Sequence, residues 1–138
     1  MTSEDAKTVL KTLFEEVLTN DKLDLIFELY APEYEFIVPK LAGMTSNIVK
    51  GRENFKKRVI AFRTAFPDVD YRIQSFASNG EIVATSFAFT GTHVGEFAGF
   101  APTNRKVTVT GNHFSQLKNG KIVKTWAGFT NIVEALSP

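Results

Sequence analysis

The spacing of hydrophobic residues in the first half of the chain predicts three helices. The first apolar stripe ends before Asn20-Asp21 and consists of Val9, Leu10, Leu13, Phe14, Val17 and Leu18. A second, shorter stripe precedes Pro32 and consists of Leu25, Ile26, Leu29 and Tyr30. The third lies between Gly51 and Pro67 and consists of Phe55, Val59, Phe62 and Phe66. Between the second and third stripes, the pattern predicts a short extended segment at residues 34–39 and a loop at residues 41–50.

Beyond Pro67 the hydrophobic period changes from helical spacing to alternation. This change predicts four strands, at residues 69–77, 82–93, 106–117 and 121–130. Asn79-Gly80 and Asn119-Gly120 are typical of tight turns between antiparallel strands. Residues 131–136 predict a short terminal helix. The order α-α-β-α-β-β-β-β indicates the α+β class, with a sheet that is largely antiparallel.

The alternation also assigns side chains to two faces of the sheet. One face is mainly apolar, and six polar residues lie on it: Ser75, Thr85, His93, His113, Ser115 and Thr125. A few polar groups in an apolar surround are typical of a ligand pocket, and they are equally compatible with hydrogen-bonded core residues. The apolar members of this face include Val69, Tyr71, Ile73, Phe87, Val109, Val123, Ala127 and Phe129.

The opposite face of the predicted sheet carries two large aromatic residues, Phe114 and Trp126, on adjacent strands. Small residues surround them: Ala84, Ser86 and Ala88. Two neighbouring aromatic side chains on one open face favour self-association, so we expect a homodimer through this face of the sheet.

Composition narrows the class of protein. The 138 residues fit one domain, at residues 1–138. The net charge of +1 argues against a nucleic-acid partner, and the cluster Lys56-Lys57-Arg58 is interpreted as a solvated helix face because no aromatic residues interleave it. The absence of cysteine excludes disulfides and thiol nucleophiles, and two histidines are too sparse for a metal site. No apolar run approaches the ~20 residues of a membrane span, and the first eleven residues lack a signal-peptide core, so we expect no membrane partner and a cytoplasmic location.

A glycine-rich stretch follows the second predicted strand and contains Gly91-Thr92-His93, Gly95, Phe97, Gly99 and Pro102-Thr103. Two strands joined by such a loop are well suited to forming the mouth of a pocket. Phenylalanine is also abundant, with 13 residues against one Trp and three Tyr. This bias supplies apolar area with few polar groups, as expected around an apolar cavity or in a thick core.

Together with three other segments, this stretch resembles the SnoaL-like polyketide (ester) cyclase family of the nuclear-transport-factor-two-like superfamily. The other segments, in matching order over nearly the whole chain, are Lys50-Gly51-Arg52, Ala65-Phe66-Pro67-Asp68 and Gly120-Lys121-Ile122-Val123 before Trp126. The resemblance implies a cone-shaped α+β barrel, in which a strongly curved mixed or antiparallel sheet and three helices of the N-terminal half enclose an apolar cavity. It further implies chemistry without a metal or organic cofactor. Characterised members close a polyketide ring by intramolecular aldol condensation of a polycyclic ester, with an aspartate of the last strand as acid/base.

The sequence departs from the family pattern at three places. Thr125-Trp126-Ala127 replaces His-Trp-Asp, so the usual carboxylate is missing at Ala127. Phe36-Ile37 stands where relatives often have Asp-His, and His113 stands where they commonly have aspartate. His113 is therefore the candidate catalytic residue, because imidazole titrates near neutrality. The alternative is a neutral core histidine bonded to Tyr71, Ser115 or a carbonyl group.

Seven further residues are candidates for contact with a ligand. Ile37 and Ala127 would place apolar surface where the family has catalytic groups. His93 is expected mainly to fix the glycine-rich loop by a bond from its ring to the backbone, and Thr125 to bond either a ligand carbonyl or a neighbouring strand. The remaining candidates are Phe62, Tyr71 and Phe97, although Phe62 also fits the core and Phe97 also fits an anchor for the loop.

Three functions stay open on these grounds. The first is an enzyme that acts by cofactor-free acid/base chemistry on a hydrophobic cyclic carbonyl or ester compound, with His113 as base. The second is a non-catalytic protein that binds an apolar small molecule, which fits the loss of the carboxylate at Ala127. The third is a dimeric interaction module that uses the outer face of the sheet.

Overall fold

The helices lie mainly in the N-terminal half of the structure, a computed structural model that describes residues 2–39 and 47–138. Helix α1, Ser3–Thr12, begins with a capping box in which the Thr2 hydroxyl accepts the Asp5 N–H and the Asp5 carboxylate accepts the Thr2 N–H. The helix continues as a π-helical segment, Leu13–Thr19. A 3₁₀ turn, Leu23–Leu25, then leads into the short helix α2, Ile26–Leu29.

Six strands form one mixed sheet. They are β1, Tyr30–Ile37; β2, Ile48–Lys50; β3, Asp70–Ser78; β4, Ile82–Thr92; β5, Lys106–Lys118; and β6, Lys121–Phe129. Their order across the sheet is β2-β1-β6-β5-β4-β3, and only β1 and β6 run parallel among these pairs. Helix α3, Arg52–Ala65, connects β2 to β3, and helix α4, Ile132–Leu136, follows β6. The predicted α+β class and curved sheet are confirmed, and the sheet is unclosed.

The first strand begins earlier in the chain than predicted, at Tyr30. The second helix therefore ends before Tyr30, which the sequence had assigned to it. Tyr30 and Tyr34 are fully buried and their rings pack against each other and against Phe55, which favours extended backbone at that point. Pro32 lies where the pairing of β1 with β6 is irregular, so its missing N–H interrupts no regular ladder. The predicted loop at residues 41–50 is wrong at its end, where β2 pairs with β1, and residues 41–46 lie outside the described residues.

Two bulges change the predicted faces of the sheet. In β3 the register shifts between Ile73 and Ser75, which turns Ser75 to solvent instead of to the inner face. In the β5–β6 pair Leu117 opposes Ile122 rather than Val123, so Ile122 is fully buried and Val123 is only half-buried. Elsewhere the alternation is confirmed, since the inner-face residues Val83, Phe87, Phe89, Val107 and Val109 are buried.

The core fills the space between the inner face of the sheet and the helices. α1 and the π-helical segment contribute Ala6, Leu10, Leu13, Phe14 and Val17 to it. The polar residues that share this interior are Thr85, His93, His113, Ser115 and Thr125. No helix in the part of the chain that the structure describes is long and apolar enough to cross a membrane.

Candidate functional site

A cavity of about 500 Å³ lies between α3, the π-helical segment and the inner face of the sheet. Most of its walls are apolar. Phe14 comes from the π-helical segment, Phe55 and Phe62 from α3, and Phe87 and Phe129 from β4 and β6. The polar side chains that line it are Arg58, Arg63, Tyr71, Glu96 and His113. This mixture of apolar walls and few polar groups suits a small organic ligand.

A second depression, of about 590 Å³, lies between the π-helical segment and β3. Its charged rim includes Lys11, Glu15, Glu16 and Arg72. Tyr71 is the one candidate residue that borders it. Because the other candidates do not reach it, the smaller cavity is the candidate site.

The structure brings five of the eight predicted site residues to this cavity. They are Phe62, Tyr71, Phe97, His113 and Ala127. Two of them are direct neighbours, since Ala127 pairs with His113 across β5 and β6. The alanine at position 127 is therefore beside the imidazole.

Ile37, His93 and Thr125 do not line the cavity. Ile37 is half-buried and pairs with Trp126, whereas its neighbours Phe36 and Val38 line the cavity instead. The alternation of β1 explains this difference, because Tyr34, Phe36 and Val38 share one face of the strand. The Phe36 ring centroid lies 5.4 Å from that of Phe55.

His93 fixes the glycine-rich loop. Its Nδ1 accepts the Thr103 N–H at 3.3 Å, and its ring stacks on Phe66 with centroids 5.2 Å apart. Its backbone carbonyl accepts the Asn104 N–H at 2.8 Å. The loop then carries Phe97 to the cavity, where the Phe97 ring lies 5.2 Å from that of Phe62. Of the two expectations for His93, loop anchoring is the one that its contacts support.

A chain of hydroxyl groups leads to His113. The Thr125 and Ser115 hydroxyl oxygens lie 2.8 Å apart, and the Ser115 hydroxyl lies 3.3 Å from His113 Nδ1. The contact expected for Thr125 is thus made with a neighbouring strand. Since Ser115 occupies Nδ1, Nε2 is the ring nitrogen left for a ligand. Donation from Ser115 to Nδ1 would place the ring hydrogen on Nε2.

Burial dominates the electrostatics of His113. Desolvation lowers the pKa of its imidazole from 6.5 to about 3, because the charged ring would lose its hydration. The ring packs edge-on against Phe14, with centroids 5.2 Å apart. His113 is therefore neutral at neutral pH, and a neutral imidazole can donate one hydrogen bond and accept another.

Tyrosine hydroxyls add neutral groups to the interior. Burial raises the pKa of Tyr71 above its usual value, and the nearby Arg58 guanidinium opposes that shift. Burial likewise raises the pKa of Tyr34. The Thr125 hydroxyl is close enough to oppose this second shift, but its geometry falls short of a hydrogen bond. Both phenols keep their protons at neutral pH.

The sequence interpretation missed Arg58 and Glu96. Arg58 was assigned to a solvated face, yet it stands three residues after Phe55 and four before Phe62, which is the spacing of one helix face. Glu96 lies in the loop between β4 and β5, where no period could place it. Within residues 2–39 and 47–138, no cluster of three or more His, Asp or Glu side chains could hold a metal ion.

A sequence model of the family described as SnoaL-like polyketide cyclase matches residues 8–132. The structure is similar to that of IdmH, a candidate polyketide cyclase from Streptomyces antibioticus, with a TM-score of 0.77 and 27% identity over 91% of this chain and 92% of that one. No curated protein matches in sequence.

Two further solved structures share the fold at lower identity. A candidate SnoaL-like polyketide cyclase from Jannaschia sp. CCS1 has a TM-score of 0.84 and 18% identity, over 99% of this chain and 94% of that one. A candidate ketosteroid isomerase from Kribbella flavida DSM 17836 has a TM-score of 0.67 and 15% identity, over 93% of this chain and 79% of that one.

Proposed function

This chain belongs to the SnoaL-like polyketide cyclase family, and from that premise we propose that its cavity binds a hydrophobic cyclic carbonyl or ester compound and catalyses proton transfer on it. The reaction would be of the cyclase or isomerase type and would need no cofactor. The position of His113 is the observation that carries the proposal. Its ring lines the cavity, and Ser115 holds its Nδ1, which leaves Nε2 for a ligand oxygen.

Because His113 is neutral, we no longer assign it the role of base that the sequence suggested. An imidazole whose pKa is about 3 is a weak base at neutral pH. As a hydrogen-bond donor, however, it can stabilise negative charge on a carbonyl oxygen, as neutral imidazoles do in other enzymes. We therefore assign His113 to the carbonyl oxygen of the ligand and not to the carbon-bound proton.

The proton itself needs an acceptor, and Glu96 is the carboxylate among the described lining residues. In the proposed step, the bond between an α-carbon and its hydrogen breaks and the proton passes to the Glu96 carboxylate. The electron pair moves into the carbonyl group, whose oxygen becomes an enolate bound by His113 Nε2–H. The enolate carbon then attacks a second carbonyl group or regains a proton.

Deuterium exchange at the α-carbon of a fused-ring ketone tests this step without knowledge of the natural substrate. With 2-tetralone in D₂O, followed by NMR, the wild-type protein should exchange the α-protons faster than buffer alone. His113→Ala and Glu96→Gln should each lose most of this acceleration, of the order of a hundredfold. Exchange by both variants at the wild-type rate would refute the assignment.

A non-catalytic binding protein is the alternative function, and the apolar Phe36 and Ala127 in the cavity wall favour it. Binding of 2-tetralone, shown by saturation-transfer NMR, without faster exchange would support this alternative over the enzyme. Fluorescence microscopy of a tagged chain would test the cytoplasmic location that the sequence predicts.

We also propose that the protein is a homodimer through the outer face of the sheet. Phe114 is 46% exposed there and Trp126 is 39% exposed, and the two residues pair across β5 and β6. Ile60 on α3 is also 46% exposed and provides a matched control. Sedimentation should show a dimer for the wild type and for Ile60→Glu, and a monomer for Phe114→Glu. A monomeric wild type would refute the proposal.

A further inference from the structure

In the part of the chain that the structure describes, one arginine has a guanidinium group without a hydrogen bond or an ion pair. The other four use theirs to hold backbone carbonyl or carboxylate oxygens: Arg52, Arg63, Arg72 and Arg105. Arg58 makes no hydrogen bond or ion pair within residues 2–39 and 47–138. Its guanidinium lies 5.4 Å from the centroid of the Phe36 ring, which also lines the cavity.

The Arg58 side chain lines the cavity beside Phe36, and its exposure agrees with that position. It is accessible to water, yet burial lowers the pKa of its guanidinium, with Tyr71 opposing that shift. A group on the outer surface would be accessible without being desolvated. A group that faces a cavity is accessible to a water-sized molecule while protein atoms surround it. Arg58 keeps its charge, because the ordinary pKa of arginine lies far above neutral pH.

The polar groups of the cavity are mainly hydrogen-bond donors. Arg58 is a cation, Tyr71 keeps its phenolic proton, and His113 is neutral with Nε2 unused. Arg63 already holds the carbonyl oxygens of Leu18 and Thr19. Among the described lining residues, the wall therefore presents one uncommitted positive charge, at Arg58, and one carboxylate, at Glu96 in the loop between β4 and β5.

We propose that the ligand is an apolar compound that carries a free carboxylate, and that Arg58 and Tyr71 bind this carboxylate. The planar guanidinium matches two carboxylate oxygens at once. One uncommitted cation suits a single negative charge, whereas a phosphate dianion would call for a second. The inference rests on the proposed function in one respect, namely that the cavity is the ligand site. It adds that the acid, and not its neutral ester, is the preferred form.

Two fluorescent probes of nearly equal shape test the inference: anthracene-2-carboxylate and its methyl ester. Dissociation constants come from equilibrium fluorescence titration of each probe against four proteins. These are the wild type, Arg58→Met, Arg58→Lys and the control Lys57→Met. Lys57 is the exposed neighbour of Arg58 on α3 and does not line the cavity, so its replacement removes the same charge from the same helix.

The wild type should bind the acid more tightly than the ester. Arg58→Met should weaken binding of the acid by about tenfold to a hundredfold, as expected for the loss of a hydrogen bond to a charged group, and should change binding of the ester by less than about twofold. Arg58→Lys should bind the acid with an affinity between those of the wild type and Arg58→Met, because lysine keeps the positive charge but lacks the planar guanidinium that bonds two carboxylate oxygens. Lys57→Met should bind both probes as the wild type does.

Three results would overturn the inference. Equal binding of acid and ester by the wild type would refute the preference for a carboxylate while leaving the ligand site in place. Equal loss of affinity in Arg58→Met and Lys57→Met would assign the effect to net charge. Failure of both probes to bind the wild type would refute the inference and the proposed function together. Melting temperatures of the four proteins show whether any change in affinity reflects a loss of folding.

Discussion

The buried imidazole of His113 should make the stability of this protein depend on pH. The unfolded chain binds a proton at this residue below pH 6.5, whereas burial lowers the folded-state pKa to about 3. Between these two values the unfolded state carries a proton that the folded state excludes. The stabilising effect of the neutral form is therefore complete above the unfolded pKa, and it is lost progressively as the pH falls towards about 3.

The expected size follows from proton linkage. One proton bound only by the unfolded state costs about 1.4 kcal/mol of stability for each pH unit within this window. Because the unfolded histidine is mostly neutral at pH 7, the loss between about pH 7 and pH 5 is about 2 kcal/mol. That is a large part of the stability of a small domain, which is typically about 5–15 kcal/mol.

Urea denaturation followed by circular dichroism measures this loss, with His113→Gln as the control. Both proteins share their other titratable groups, so the difference between their free energies of unfolding isolates His113. The wild type should lose about 2 kcal/mol relative to His113→Gln when the pH falls from about 7 to about 5. A difference that stays constant would show that the folded protein accepts the imidazolium, and it would remove the physical basis for treating His113 as a neutral donor.

Other substitutions test the packing and charges around the site. Gly111→Ala should cost about 1–3 kcal/mol in urea denaturation, since a Cβ there would lie 2.6 Å from the Phe87 ring and from the Gly128 carbonyl oxygen; an unchanged midpoint would contradict this packing. Asp68 accepts hydrogen bonds from the Thr92 N–H and hydroxyl, and these bonds lower its pKa. At pH values above the ordinary pKa of 3.8, Asp68→Asn should therefore lower the free energy of unfolding by roughly 0.5 kcal/mol, and by less as the pH falls below that value. A loss of stability that does not depend on pH would contradict the charge effect. Ala127→Asp should raise the pKa of His113, visible in the NMR titration of its ring protons, because an adjacent carboxylate favours the imidazolium; an unshifted titration would show that the two side chains do not interact.

The long strands could be predicted from the sequence because each buries one face. In β4 the buried residues alternate without interruption, and its pairing with β5 is regular along its whole length. Asn119 and Gly120 both have positive φ, as the predicted tight turn between β5 and β6 requires. Strand β2 gave no such pattern, because its three residues are exposed or half-buried and depend on pairing with the distant β1.

The errors in face assignment have a local cause. A bulge adds one residue to a strand and reverses the faces beyond it, and nothing in the spacing around Ser75 marks the extra residue. The same effect in the β5–β6 pair explains why Ile122 faces the interior where the sequence predicted Val123. Ile37 was misplaced for a different reason, since the phase of β1 is set by the burial of Tyr30 and Tyr34 at its start.

Most of the site that could be predicted lies on regular elements, and Phe97 followed instead from the glycine-rich stretch. Phe62, Tyr71, His113 and Ala127 follow from helical spacing or strand alternation, and all four line the cavity. Arg58 obeys the same helical spacing, but its charge and its basic neighbours led to the opposite interpretation. A charged residue in phase with an apolar stripe therefore indicates a pocket wall as readily as a solvated face, and the choice depends on whether a cavity faces the helix.

Ala127 and His113 lie side by side in the cavity wall, because the two positions pair directly across β5 and β6. A carboxylate at position 127 would stabilise an imidazolium beside it, and the pair could then act as base and acid. With alanine there, burial keeps the imidazole neutral. The uncommitted positive charge is instead at Arg58, on α3, and the carboxylate among the described lining residues is Glu96, in the loop between β4 and β5. On the proposed role of Arg58, the ionisation state of the ligand should govern its affinity more than hydrogen bonds from β6.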